Sequence, residues 1–363
     1  MGQKCARCTK TVAEISVRQI YKCPLCEIDR ILLTIGAYFG NIASRILLNM
    51  RPKGYKTMTM EQILADIRSP RLKKVIHDAD MGIEMDDQYA LAYCIGNEKI
   101  ELLSCTASTF GKGKDCDYVW GMEESYKEIL RVLDVCGATD KYPAYRGATR
   151  PMGIDDPVDS EAVQNIIKTA MESDELIYIL GTGCCTNIVS ACLMEPRIKE
   201  KICVIWLGGT CLDTDDDLAG ECNLAWDFRA GQYLLGLDIP LVLLPAYTHG
   251  TCVLEINLET MKAIKGDAPA AVFFRDTLPG EYDDEPYYVN GWERVLFDVA
   301  APAVLAQPEA FEFSIIPAPV ITDEGRYAFD STRHKIIYME KMEPKPVLDE
   351  TWRCINKIAE AQK

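Results

Sequence analysis

Asp78-Ala79-Asp80-Met81-Gly82-Ile83-Glu84-Met85-Asp86-Asp87 places four aspartates within ten residues. Lys73-Lys74-Val75-Ile76-His77 before it is short and β-prone, and Gln88-Tyr89-Ala90-Leu91-Ala92-Tyr93-Cys94-Ile95 after it carries a helical apolar stripe. The acids therefore sit on a strand-to-helix turn, which in an open α/β sheet lies at the carboxyl ends of the strands, where ligands bind. Gly82 lets the backbone bend between the two carboxylate pairs. Carboxylates this close repel one another unless a cation neutralises them, and all-oxygen ligation suits a hard ion such as calcium or magnesium. The plainer reading is an acidic, solvated loop. Against it stand the strand-turn-helix setting and the absence of Lys or Arg between the acids.

Downstream, strands and helices alternate in the manner of a mostly parallel sheet covered on both faces. Strands are expected over 101–108, 176–180, 201–207 and 240–244, and helices over 117–136, 160–173, 186–194 and 226–235. The pattern then loosens into an acidic, tyrosine-containing insertion over 279–290, a helix over 293–306, short strands with turns over 311–338 for which antiparallel pairing is one option, and a last helix from about Leu348. Upstream, Thr59 is placed to cap a short helix with Met60, Ile63, Leu64 and Ile67 on one face.

The N-terminus is of another kind. Cys5-Ala6-Arg7-Cys8 and Cys23-Pro24-Leu25-Cys26 are two Cys-x-x-Cys knuckles with 14 residues between them. Four thiolates so arranged suit a closed, structural, tetrahedral zinc site, resembling zinc ribbons and rubredoxin-like knuckles; an iron centre or a redox pair is the alternative. A helix over 27–48 and a basic linker follow. The expected organisation is thus a zinc-ribbon-like head with its helix over 1–50, a linker and short helix over 51–70, and an α/β body over 71–363 with an open, mostly parallel, helix-flanked sheet.

At 363 residues and 48% hydrophobic content the body can bury a large core. Net charge is −16, but residues 1–74 carry +9, leaving −25 on the rest, a poor surface for nucleic acid. The most apolar stretch, 31–48, is interrupted by Gly36, Gly40, Asn41 and Arg45 and does not read as a membrane span. Most of the 16 cysteines lie singly in apolar segments and no signal peptide opens the chain, which fits a cytoplasmic protein.

Three more segments carry polar residues where a core would not require them. Gly181-Thr182-Gly183-Cys184-Cys185-Thr186-Asn187 offers glycines for close approach and carbonyls for a hard cation. Leu207-Gly208-Gly209-Thr210 precedes Glu221-Cys222-Asn223, where a Glu and an Asn two apart on an extended segment would point the same way and suit vicinal hydroxyls. Asp298 stands alone in an apolar run and must cap a helix or meet a cation.

Taken in order, these motifs resemble the inosine-uridine-preferring nucleoside hydrolases from about Lys74 to the C-terminus. The resemblance rests on Asp78-Ala79-Asp80-Met81-Gly82 with Asp86-Asp87, here with two extra residues before the Asp pair. It continues through Tyr145-Arg146-Gly147-Ala148, Thr182-Gly183 with Thr186-Asn187, Gly208-Gly209, Glu221-Cys222-Asn223, Thr248-His249 and Asp298. It implies hydrolysis of an N-glycosidic bond to ribose and free base, a place in purine or pyrimidine salvage, and a homo-oligomer. It also implies that Asp80 is a calcium ligand and the general base toward metal-bound water. Asp87, Asp298 and the carbonyl of Thr182 would complete the calcium site. Asp86, Glu221 and Asn223 would hold the ribose hydroxyls, with Leu207 against the sugar.

Departures are few and pointed. Lys112 stands where many members have Asn and Asp215 where some members do, and Phe297 precedes Asp298 where the best-known members have a His proposed to protonate the leaving base. Tyr287, Tyr288, Trp292 and Glu293 are candidate substitutes. His77, His249 and His334 are expected to be structural. A non-catalytic ribose or nucleoside binder, with the zinc head as an interaction module for a protein partner, is the rival reading; a retained base beside a metal argues against it.

Overall fold

The strand, turn and helix expected around the acidic stretch form as β1 (Lys73–Ala79) and α2 (Asp86–Gly96), preceded by α1 (Met60–Ile67). The computed structural model describes residues 58–111, 117–214, 218–282 and 292–363. The knuckle cysteines Cys5, Cys8, Cys23 and Cys26, the helix over 27–48, and Lys112, Asp215, Tyr287 and Tyr288 lie outside the described residues. Thr59 caps α1 as expected, in a reciprocal box with Gln62.

β2 (Ile100–Ala107), α3 (Tyr118–Val135), β3 (Ala144–Tyr145), α4 (Glu161–Glu172), β4 (Ile177–Gly181), α5 (Thr186–Met194) and β5 (Ile202–Leu207) continue the alternation. α6 (Cys222–Trp226), α7 (Phe228–Gly236) and β6 (Leu241–Leu244) follow. Beyond them come β7 (Glu255–Asn257), β8 (Glu293–Val295), α8 (Ala300–Ala306), β9 (Phe311–Pro317), β10 (Val320–Ile321), β11 (Tyr327–Ala328), β12 (Lys335–Met342) and α9 (Pro344–Glu360).

The main sheet has eight strands in the order β3-β2-β1-β4-β5-β6-β12-β9, and each neighbouring pair is parallel except β12 with β9. This is the expected α/β body. β4 and β5 are buried along their whole length, as strands covered on both faces must be. The chain lays down β1, β2 and β3 in one direction and returns to place β4 on the other side of β1. Strand order therefore reverses between β1 and β4, which opens a crevice at their carboxyl ends.

Two expected elements differ. The helix expected over 293–306 is β8, paired antiparallel with β7, then a 3₁₀ turn (Phe297–Val299) and α8. Cross-strand partners for residues 293–295 outweigh the local helical pattern. The helix expected over 226–235 is two helices broken at Asp227, whose carboxylate caps α7 through Ala230 N–H at 2.9 Å. That carboxylate also accepts from Met152 N–H at 2.8 Å and the Thr186 hydroxyl at 2.6 Å, so tertiary demands place the break.

Candidate active site

Asp80 follows the last residue of β1, Thr182 the last of β4, and Leu207 ends β5, so three adjacent parallel strands deliver them to one sheet edge. Asp86 and Asp87 open α2, Asn223 lies in the first turn of α6, and Asp298 sits in the 3₁₀ turn before α8. All eight residues expected at the active site line one cleft of about 480 Å³: Asp80, Asp86, Asp87, Thr182, Leu207, Glu221, Asn223 and Asp298. Trp292 and Glu293, offered as substitutes for the missing histidine, do not line it.

Local backbone explains the fit. Gly82 has φ +104°, a conformation that turns the chain sharply between Asp80 and Asp86. At Gly183 a Cβ would stand 2.9 Å from Asp80 Cγ and 3.0 Å from Ser108 Cβ, so only glycine lets the 182–184 loop close against the aspartate.

The carboxylates form a buried cluster. Oxygens of Asp86, Asp87 and Asp298 lie within 4.8 Å of one another. Asp87 is in hydrogen-bond contact with Thr182, Asp298 and Asp80, while Asp80 Oδ2 is buried with no hydrogen-bond partner among the described residues. Burial, then the Asp87 charge, pushes Asp86 up to about 7, and burial raises Asp87 to about 7 against its hydrogen bonds. Burial, then the neighbouring carboxylates, drives Asp80 and Asp298 well above the usual carboxylate range. Such a cluster must hold protons or a cation. Its donors are all hard oxygens with room left on Asp80, which fits calcium.

Supporting bonds set the orientation. With Asp87 ionised, as a bound cation would hold it, the Thr182 hydroxyl donates to Asp87 Oδ1 at 2.6 Å and accepts from His77 Nε2, 3.0 Å away. His77 is therefore the Nε2–H tautomer, and burial holds it neutral with its pKa down at about 3. Asp78 Oδ1 accepts from the Thr106 hydroxyl at 2.6 Å and from Asn187 Nδ2 at 2.8 Å, tying β1 to β2 and α5 below the site.

Glu221 and Asn223 reach the cleft by a different route from the extended segment expected. Glu221 is the N-cap of α6: it accepts from Gly209 N–H at 2.7 Å, Asn223 N–H at 2.8 Å and Leu224 N–H at 2.9 Å. Burial raises it to about 7 against those three bonds. Asn223 Nδ2 donates to the carbonyls of Leu207 at 3.1 Å and Thr182 at 3.3 Å, which leaves its Oδ1 for a ligand.

The cleft also contains Ile83, Glu84, Cys222, Ala246, Tyr247 and Phe297. Tyr247 meets Phe297 edge-on, with ring centroids 6.3 Å apart. Ile83 and Glu84 belong to the run of three residues between Gly82 and Asp86, so the longer loop was a visible signal. Tyr247 had only its place beside Thr248-His249 to mark it.

Residues 75–350 match the family model described as inosine-uridine preferring nucleoside hydrolase. Over 265 residues the chain is 24% identical to the pyrimidine-specific ribonucleoside hydrolase RihA of Enterobacter sp. (strain 638), covering 65% of this chain and 80% of that protein. With the pyrimidine-specific ribonucleoside hydrolase RihB of Escherichia coli O17:K52:H18 it shares 27% identity over 232 residues, 57% of this chain and 69% of that one. The fold resembles the solved purine-preferring ribonucleoside hydrolase from Gardnerella vaginalis, with a TM-score of 0.65 and 22% identity over 80% of this chain and 100% of that one.

Proposed function

The chain belongs to the inosine-uridine preferring nucleoside hydrolase family and is a nucleoside N-glycosyl hydrolase; from that premise we propose that it cleaves a ribonucleoside or related N-riboside with calcium and Asp80 as general base. The observation that carries this reading is the convergence of Asp80, Asp86, Asp87 and Asp298 on one cleft, with Asp80 Oδ2 unpartnered among the described residues.

Asp80, Asp87, Asp298 and the Thr182 carbonyl would hold the calcium. When bound, the ion would neutralise the carboxylates and supply Lewis acidity to a nearby water. Asp80 would take the proton from the attacking water. Asp86, Glu221 and Asn223 hold the ribose hydroxyls and Leu207 packs on the sugar. The carboxylates beside the ring stabilise the positive charge that develops as the glycosidic bond lengthens.

Phe297 supplies no proton to the departing base. Tyr247, packed on Phe297, is the proposed donor; its hydroxyl donates to Gly220 O at 3.1 Å, and burial keeps it protonated. Tyr247→Phe should slow release of natural bases at least tenfold while sparing a nitrophenyl riboside, whose leaving group needs no acid. Equal effects on both substrates would remove Tyr247 from this role.

The central test is ribose release from a panel of ribosides by calcium-loaded protein, with Asp80→Ala as control. A loss of about 10²–10⁴ in kcat is expected; equal release by both proteins would end the assignment. The remaining proposals complete the picture: a structural zinc head on Cys5, Cys8, Cys23 and Cys26 that engages a protein partner, a body over 71–363, a homo-oligomer, and a cytoplasmic role in base salvage. Among the described residues no helix is long and apolar enough to cross a membrane.

A further inference from the structure

Two loops meet at the rim of the cleft, 208–214 after β5 and 245–252 after β6. Ala246 N–H donates to Gly209 O at 3.0 Å, and the Cys211 thiol donates to Tyr247 O at 2.9 Å. Each loop is also tied within itself or to the sheet. Thr214 Oγ1 donates to Cys211 O at 3.0 Å, Leu212 N–H donates to the Tyr338 hydroxyl at 3.2 Å, and Thr251 N–H donates to Pro245 O at 2.8 Å. Thr248 adopts φ +63°, the left-handed region that a β-branched residue avoids, and the chain there presents His249 toward the first loop.

The result is a set of unlike ligands at one point. His249 Nε2 is 3.2 Å from Asp213 Oδ1, and with Cys211 Sγ all three ligand atoms fall within 4.8 Å of one another. Among the described residues, the other group so arranged is the Asp86, Asp87 and Asp298 cluster. The chemistry differs: three carboxylates suit a hard ion, whereas thiolate, imidazole and carboxylate together suit zinc and its neighbours. Cys211 is buried, while Asp213 and His249 reach solvent, so an ion has an entry path. Two ligands about 2.0–2.1 Å from a tetrahedral zinc stand about 3.3–3.4 Å apart, close to the 3.2 Å between His249 and Asp213.

We propose that Cys211, Asp213 and His249 form a second metal site, selective for zinc-class ions, at the rim of the active-site cleft. Three protein ligands leave a fourth position open to water. Zinc binding as the thiolate releases the Cys211 proton to solvent, and the thiol's bond to Tyr247 O is exchanged for a bond to the ion. Because Tyr247 lines the cleft, occupancy of the rim is felt at the entrance. The site does not rest on the hydrolase reading and stands or falls on metal binding alone.

The test is zinc content per full-length chain at buffered free zinc, with calcium in excess to fill the all-oxygen cluster. Wild type should bind one equivalent more than His249→Ala and one more than Cys211→Ser, whatever the N-terminal knuckles retain. Cobalt in place of zinc should show a thiolate charge-transfer band that loses one sulfur's intensity in Cys211→Ser and none in a Cys252→Ser control. His249 is half-exposed, so its variant keeps the test open if Cys211→Ser fails to fold. Equal zinc in wild type and His249→Ala, or an unchanged cobalt band in folded Cys211→Ser, would overturn the proposal.

Discussion

Glu221 has two commitments at once, and its substitution separates them. Its two oxygens accept three backbone N–H groups, two of them from the first turn of α6, while the same side chain faces the cleft. Glu221→Gln keeps the shape but turns an amide N–H₂ toward a backbone N–H, leaving at least one donor unpaired. The expected cost is about 1–3 kcal/mol of stability, read by urea unfolding, together with a raised KM. An unchanged unfolding midpoint would mean that the capping bonds contribute nothing. The residue types at this site were legible in the sequence because chemistry restricts them: aspartates for a hard cation, Glu and Asn for hydroxyls. How Glu221 is held was not legible, because an N-cap bond depends on where the helix begins, and α6 is too short for periodicity to reveal.

At the scale of elements, the long helices and central strands followed from pattern alone. α3 and α4 formed within a residue of expectation, each behind the capping side chain that marks it, Asp117 and Ser160. The failures came where another part of the chain supplied the hydrogen bonds, as β7 does for β8. The loop from β4 to α5 carries its own prediction. Gly183→Ala sets a methyl 2.9 Å from Asp80 Cγ, with Ser108 Cβ on its other side at 3.0 Å, and the aspartate is the part free to shift. If Asp80 is the base as proposed, displacing it should lower kcat by at least about tenfold while the thermal midpoint moves by only a few degrees. If kcat holds, Asp80 has slack that the packing does not show.

Among the described residues, buried carboxylates gather at one sheet edge, and the stability of the whole molecule should depend on pH accordingly. Asp86 and Asp87 rise to about 7 from an ordinary value near 4. Without metal, the folded state therefore holds protons that the unfolded chain releases; this stabilisation is fully present below about pH 4 and is lost as pH rises through 7. Protein in a chelator should melt lower at pH 8 than at pH 5.5, and added calcium should raise the midpoint more at pH 8, where no proton competes. A midpoint independent of pH, with an equal calcium shift at both values, would contradict the buried cluster. By itself the sequence determined the α/β class, the turn at Gly82 and the identities of the acids, because apolar periodicity and residue chemistry are local properties. Only the tertiary structure decided that Asp298 meets Asp86 and Asp87, that Asn223 spans the carbonyls of Thr182 and Leu207, and that His249 stands 3.2 Å from Asp213. Those contacts join segments far apart in the chain, and the order of β1, β4, β5 and β6 in the sheet, which no local pattern encodes, brings the loops that follow them to one edge.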